Sequence, residues 1–400
     1  MTISIIITIC LLLILAYFFD ISSSRTKIPS VILLLLVGWG VRQLTTYSPL
    51  EIPDLTPILP ILGTLGLILI VLEGSLELEL NPSKFSFVGK TAVMAFLPML
   101  LFSFGLAYLF QYFGDVSFKV GLANAIPFAV ISSAIAIPSA QNLASKNKEF
   151  VTYESSLSDI FGVIFFNFIT LNNYIGSESF GRFLFEISLI LIVTFVATLG
   201  LAFLLSKIKH HVKFIPIILM IVLIYSIAKI YHLPALIFIL LFGLFLGNLD
   251  ELAGIKFIKR LQPEILNKEV HKFKDLTMEI AFLVRALFFL LFGYLIETSE
   301  LLNMETIIWA VGICIGILII RFIFLSIFKI KILPLLTISP RGLITILLFL
   351  SIPVGQTIPL VNNSLVIQVI ILTALIMMVG LIFHKTKKEE ELPLEAPTES

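Results

Sequence analysis

Tyr153-Glu154-Ser155-Ser156-Leu157-Ser158-Asp159-Ile160-Phe161-Gly162 is a polar run that opens an apolar stretch continuing through Phe165, Phe166 and Phe168. A carboxylate carried into such a stretch costs at least about 3 kcal/mol by insertion scales. Groups of this kind serve ion binding or proton carriage, so Asp159 marks a transport site. Helical spacing places Ser155 and Asp159 on one face, four residues apart. Glu154 and Ser158 share a second face, rotated by about 100°. Small alkali cations need several oxygen ligands, and carboxylate, hydroxyl and carbonyl groups supply them.

Working outward, the rest of the chain is as apolar as this stretch demands. Hydrophobic residues make up 58% of the 400 residues, charged residues 13%, and mean hydropathy is +1.09. That composition describes an all-α polytopic membrane protein. A net charge of +1 gives no field for a nucleic-acid partner. Cys10 and Cys314 lie within apolar runs and read as small buried side chains, not as a disulfide framework.

Apolar runs long enough to span fall near residues 2–19, 28–45, 56–76, 88–113, 118–143, 151–173, 183–206, 213–231, 233–249, 273–296, 304–328, 332–353 and 362–383. Thirteen transmembrane helices follow from the length criterion. The even-numbered loops hold only Arg42, Lys119, Arg182 and Lys229, while the odd loops and the tail hold most of the 27 Lys and Arg. That bias places the N-terminus outside and the C-terminus in the cytoplasm; the membrane expected is a bacterial inner membrane. The segment 250–272 mixes charge with Ile and Leu and reads as an interfacial helix. The tail 384–400 is too polar to fold alone.

Two spans are interrupted in matching places. The fifth breaks at Ile135-Ala136-Ile137-Pro138, and the twelfth at Pro334 and again around Pro340-Arg341-Gly342. They lie seven helices apart, so their membrane orientations are opposed. Paired discontinuous helices in the two halves of an inverted repeat point to a midplane site, with free backbone carbonyls at the break. Glu73 closes the third span as its only carboxylate before Glu77 and Glu79, and reads either as an addition to this cluster or as an interfacial side chain snorkelling to headgroups. Arg341, the only charge in its span, needs a partner, and Glu154 is the carboxylate expected to hold it. Arg285 lies mid-span, and Arg321 reads as an interfacial residue snorkelling from a helix end.

The histidines His210, His211, His232, His271 and His384 form no metal-hydrolase pattern, and no Gly-x-Ser-x-Gly elbow occurs. The chain is therefore read as a transporter, not an enzyme, with no cofactor.

The run Glu154-Ser155-x-x-Ser158-Asp159 resembles the Glu-Ser-x-x-Asn-Asp signature of the electroneutral branch of the monovalent cation:proton antiporters. Pro340-Arg341-Gly342-Leu343 resembles that family's Leu-Arg-Gly segment, and Leu72-Glu73-Gly74 its third-helix Glu. The resemblance implies that Asp159 binds cation and proton alternately, with Ser155 and Glu73 as cation ligands, Ser158 beside them, and Glu154 held by Arg341. It implies electroneutral exchange of Na⁺, with Li⁺ tolerated, for H⁺. It also implies a homodimer in which a core (88–173 and 304–383) moves against a dimerisation part (2–76 and 213–296), with 183–206 as linker helix, all within a domain 1–383. The alternatives are a K⁺/H⁺ exchanger, or a channel-like or transport-inactive protein of the same fold. Two departures from the pattern stand out. Ser158 replaces the Asn, and the fifth-helix Thr-Asp-Pro is replaced by Ile135-Ala136-Ile137-Pro138. Ser132-Ser133-Ala134-Ile135-Ala136 resembles instead the break of the potassium-efflux relatives.

Overall fold

Long apolar segments bury their backbone polar groups only as helices, and the computed structural model of the chain is built from them. It describes residues 2–383 apart from 27, 47–53, 79–83, 173–175, 209, 211 and 253–262. In order the helices are α1 (Thr2–Thr26), α2 (Ser30–Thr46), α3 (Ile58–Glu77), α4 (Phe85–Gly114), α5 (Phe118–Ala129), α6 (Ser133–Ser139), α7 (Ser145–Leu171), α8 (Ser177–Lys207), α9 (Phe214–Ile230), α10 (Leu236–Gly247), α11 (Leu249–Leu252), α12 (Pro263–Leu295), α13 (Thr298–Leu301), α14 (Met304–Ile327), α15 (Leu343–Leu350) and α16 (Asn363–Phe383). Among the described residues there is no strand. The thirteen apolar runs of the sequence each contain a helix: the fifth is split into α5 and α6, while the expected pair of the twelfth is a single helix, α15, preceded by a turn at 333–337 and irregular backbone to Gly342.

Local signals account for several ends. Ser117 caps α5 by accepting from the Val120 N–H, and Asn303 caps α14 by accepting from the Glu305 N–H. The expected interfacial helix at 250–272 resolves differently. Residues 253–262 lie outside the described residues, and from Pro263 the chain runs without interruption into the tenth span as α12. The tail 384–400 also lies outside them.

Two groups of helices pack together. On one side α12 lies against α2 and α3, and α3 lies against α10. On the other, α4 packs along α5 and α7, α14 along α4 and α16, and α6 against α7. Helix α3 borders both groups, touching α6, α7 and α15. Its Gly74 packs closely there: a Cβ would stand 2.9 Å from the Ser156 hydroxyl of α7.

The two breaks differ in how far the sequence located them. The second opens at Ile338–Gly342, as expected. The first was expected at Ile135, Ala136, Ile137 and Pro138, but those residues form α6; the extended backbone is Val130, Ile131 and Ser132. Pro138 removes a single N–H donor. The interruption instead occurs where other elements supply partners for the freed backbone groups.

Candidate functional site

A helix broken in the middle of a membrane protein exposes N–H groups on one side of the gap and carbonyls on the other, and each needs a partner. Those partners build the site. The Ile131 N–H donates to the Ser158 hydroxyl at 3.0 Å, and the Ser132 N–H to the carbonyl of Pro340 at 2.9 Å. The Ser133 N–H donates to Asp159 Oδ2 at 3.4 Å, and the Ser133 hydroxyl donates to the same oxygen. The Ser132–Pro340 bond is a backbone contact between the two breaks, so the discontinuous helices cross here.

The carbonyl side is held by Arg341. Its Nε donates to Phe128 O at 2.6 Å, Nη2 to Ala129 O at 3.2 Å and Nη1 to Ser339 O at 2.6 Å. A guanidinium thus closes the C-terminus of α5, where the helix dipole favours positive charge. The Arg341 N–H donates to the Thr373 hydroxyl of α16 at 3.0 Å. Gly342 lets the breaks approach, since a Cβ there would stand 2.5 Å from Ile135 and 2.9 Å from the Ser132 hydroxyl.

This arrangement corrects the expected Glu154–Arg341 pair. Glu154 is held by Arg321 of α14, in two parallel bonds of 2.7 Å each. Arg321 Nε donates to the carbonyl of Leu335, on the lead-in to the second break, at 2.7 Å. Arg321 is buried and does not snorkel. The reason is depth. Glu154 and Arg321 each lie roughly two turns inside their helices from the same face of the protein, whereas Arg341 sits at the crossing. A search for charges at matched depth on antiparallel helices would have found the pair.

The other candidate ligands fall around Asp159 in different ways. Ser155 is buried, and its hydroxyl donates back to Val151 O at 2.7 Å, which leaves its oxygen lone pairs as the available ligand. Ser158 is occupied by the Ile131 N–H and lines a cavity of about 20 Å³ with Arg321, Ser339 and Arg341, the volume of one water molecule. Glu73 is partly buried on α3, next to Gly74, whose Cα side faces the Ser156 hydroxyl. Sequence reading missed Ser133 as a partner of Asp159. It also missed that Ser132 Oγ, Ser156 Oγ and Asp159 Oδ1 are buried oxygens with no hydrogen-bond partner.

Unpaired buried oxygens are uncommon and call for an explanation. Asp159 Oδ1 is a carboxylate oxygen of the kind a monovalent cation takes as a ligand, and the Ser132 and Ser156 hydroxyls are neutral oxygen donors. Among the described residues no cluster of three or more His, Cys, Asp or Glu forms a site for a resident metal.

The sequence matches the transmembrane sodium/hydrogen exchanger family over residues 9–386. No curated protein matches the sequence. The fold is similar to the sodium proton antiporter MjNhaP1 from Methanocaldococcus jannaschii at pH 8, with TM-score 0.66, 19% identity, and 95% of this chain and 96% of that chain covered. An electron-microscopy structure of the same antiporter gives TM-score 0.68 at 18% identity, covering 96% and 95%. The chain is an integral membrane transporter and not an enzyme: it belongs to the sodium/hydrogen exchanger family, whose members exchange cations for protons.

Proposed function

We propose that this protein exchanges one Na⁺, with Li⁺ tolerated, for one H⁺, and that Asp159 carries both ions in turn. The observation that supports this most is the asymmetry of the Asp159 carboxylate. One oxygen accepts from Ser133 and fixes the start of α6, while the other is buried without a partner. Glu154 is neutralised by Arg321, and Arg341 is committed to carbonyls. Asp159 is therefore the carboxylate at the crossing whose charge is left for a mobile ion to balance.

Ser155, and then Glu73 from α3, complete the cation's oxygen ligands. A proton replaces the cation on Asp159 without change in the net charge of the site, so both loaded states cross the membrane with equal charge. That makes the exchange electroneutral. The helices α4–α7 and α14–α16 act as the moving core, with Glu154–Arg321 and the crossed breaks keeping it rigid. The group containing α1–α3, α9, α10 and α12 is the stationary dimerisation part of a homodimer, with α8 linking the two. The N-terminus lies outside and the tail in the cytoplasm of a bacterial inner membrane.

The test is cation-driven proton movement in proteoliposomes, read by a pH-sensitive dye with the membrane potential clamped at zero and at a negative value. Equal Na⁺-driven rates at both potentials are expected, with K⁺ ineffective. A rate that follows the potential would overturn the one-for-one assignment.

A further inference from the structure

Three stretches far apart in sequence bring lysines to one hollow on the face that the lysine bias assigns to the cytoplasm. Lys90 stands in the first turns of α4, Lys146 at the start of α7, and Lys329 and Lys331 in the link from α14 to the second break. All four line a recess of about 530 Å³ whose apolar wall includes Phe87, Phe150 and Phe328. Among the described residues no carboxylate lines it. Glu149, near Lys146 in sequence, is engaged by Lys84 at 2.7 Å.

Cytoplasmic-face lysines ordinarily reach outward one by one towards lipid headgroups. Here four lysines from three stretches line one concavity, together with Ser86 and Asn147. Four lysines around one hollow, with no carboxylate in its lining among the described residues, give it a positive potential that an anion relieves. Ammonium groups are suited to phosphate oxygens. Lys329 is also held in left-handed backbone, φ 54°, so a turn that Gly or Asn makes with less strain carries a cation instead.

The surroundings decide between a soluble anion and a lipid. Phe85, Ile327 and Leu333 each lie within two residues of the lining and are 61%, 64% and 60% exposed. Apolar side chains that open next to a phosphate site are covered by acyl chains. We propose that the recess binds the phosphate headgroup of an anionic phospholipid from the leaflet it faces, with its acyl chains against Phe85, Ile327 and Leu333. Leu335 lines the same recess, and its carbonyl accepts from Arg321. Binding therefore steadies the segment that anchors the Glu154–Arg321 pair and stabilises the protein. This site is independent of which cation is carried.

The experiment uses the full chain purified in non-ionic detergent and titrated separately with dioleoylphosphatidylglycerol, dioleoylphosphatidylcholine and inorganic phosphate. Thermal unfolding and native mass spectrometry are the readouts. Phosphatidylglycerol should raise Tm and remain bound in the mass spectrum, while phosphatidylcholine and phosphate do neither. Combining Lys90→Gln, Lys146→Gln, Lys329→Gln and Lys331→Gln should weaken the phosphatidylglycerol effect by up to roughly a thousandfold in half-saturating concentration, from the contribution of each lysine to anionic-lipid attraction. Equal responses of wild type and variant would overturn the proposal, and so would a Tm rise with inorganic phosphate, which would make this a soluble-anion site. If the combined variant does not fold, Lys331→Gln against Lys331→Arg decides. The Gln change should weaken the lipid effect several-fold and the Arg change preserve it, and identical behaviour of the two would also refute the site.

Discussion

Glu154 and Asp159 stand on the same helix, both 1% exposed, and the protein treats them in opposite ways. Glu154 meets a guanidinium with both oxygens and has nothing left to offer. Asp159 meets a hydroxyl and an amide with one oxygen and keeps the other open. The contrast teaches that burial alone does not identify a working carboxylate in a membrane. What matters is whether a fixed cation or a mobile one balances the charge. The region around Glu154 is a clamp joining α7, α14 and the lead-in to the second break, whereas Asp159 joins α7 to the start of α6 through one oxygen only.

If that contrast holds, the largest loss of stability should come from the clamp. Arg321→Ala leaves a buried carboxylate uncompensated and should cost about 3–5 kcal/mol. Glu154→Gln should fall in the same range. The double variant should recover part of the loss, and strict additivity in detergent unfolding would show that the two never touch.

Arg341→Ala should cost less, about 2–3 kcal/mol, because it uncaps the carbonyls of Phe128 and Ala129 without stranding a charge. Adding Glu154→Gln to it should be additive, since Glu154 pairs elsewhere. Non-additivity in that cycle would restore the Glu154–Arg341 pairing that the sequence suggested. Ser158→Ala removes the acceptor of the Ile131 N–H and should cost about 1–3 kcal/mol, with little change in apparent cation affinity. Ser155→Ala should show the smallest stability change of the five. Its effect belongs to transport, as a several-fold rise in apparent KM for Na⁺ with the proton-side behaviour unchanged.

Much of this comparison was legible in the sequence, and the failures share a cause. The spans were readable because a membrane helix must be long and apolar over its own length, which is a local property. The second break was readable because Pro340 and Gly342 mark it locally. The first break was misplaced by a few residues because its position depends on acceptors from elsewhere: Ser158 and Asp159 of α7 and the carbonyl of Pro340. Arg321 was misread for a similar reason. Its partner lies on another helix, and only the depth shared with Glu154 pointed to it. Asp159 was legible because its expense shows in a single helix. Ser133 was not, since its role exists only where the break meets α7.

The central claim is that Asp159 alone exchanges a proton for a cation, and Na⁺-driven proton movement by Asp159→Asn in proteoliposomes tests it most directly. Wild type should show proton and cation competing for one carboxylate, with apparent KM for Na⁺ rising roughly tenfold per pH unit on the acidic side and levelling off on the alkaline side. Asp159→Asn should elute as a folded protein and move no protons at any pH on addition of Na⁺. Exchange by Asp159→Asn at the wild-type rate would contradict the account and transfer the carrier role to another carboxylate, with Glu73 first to be examined.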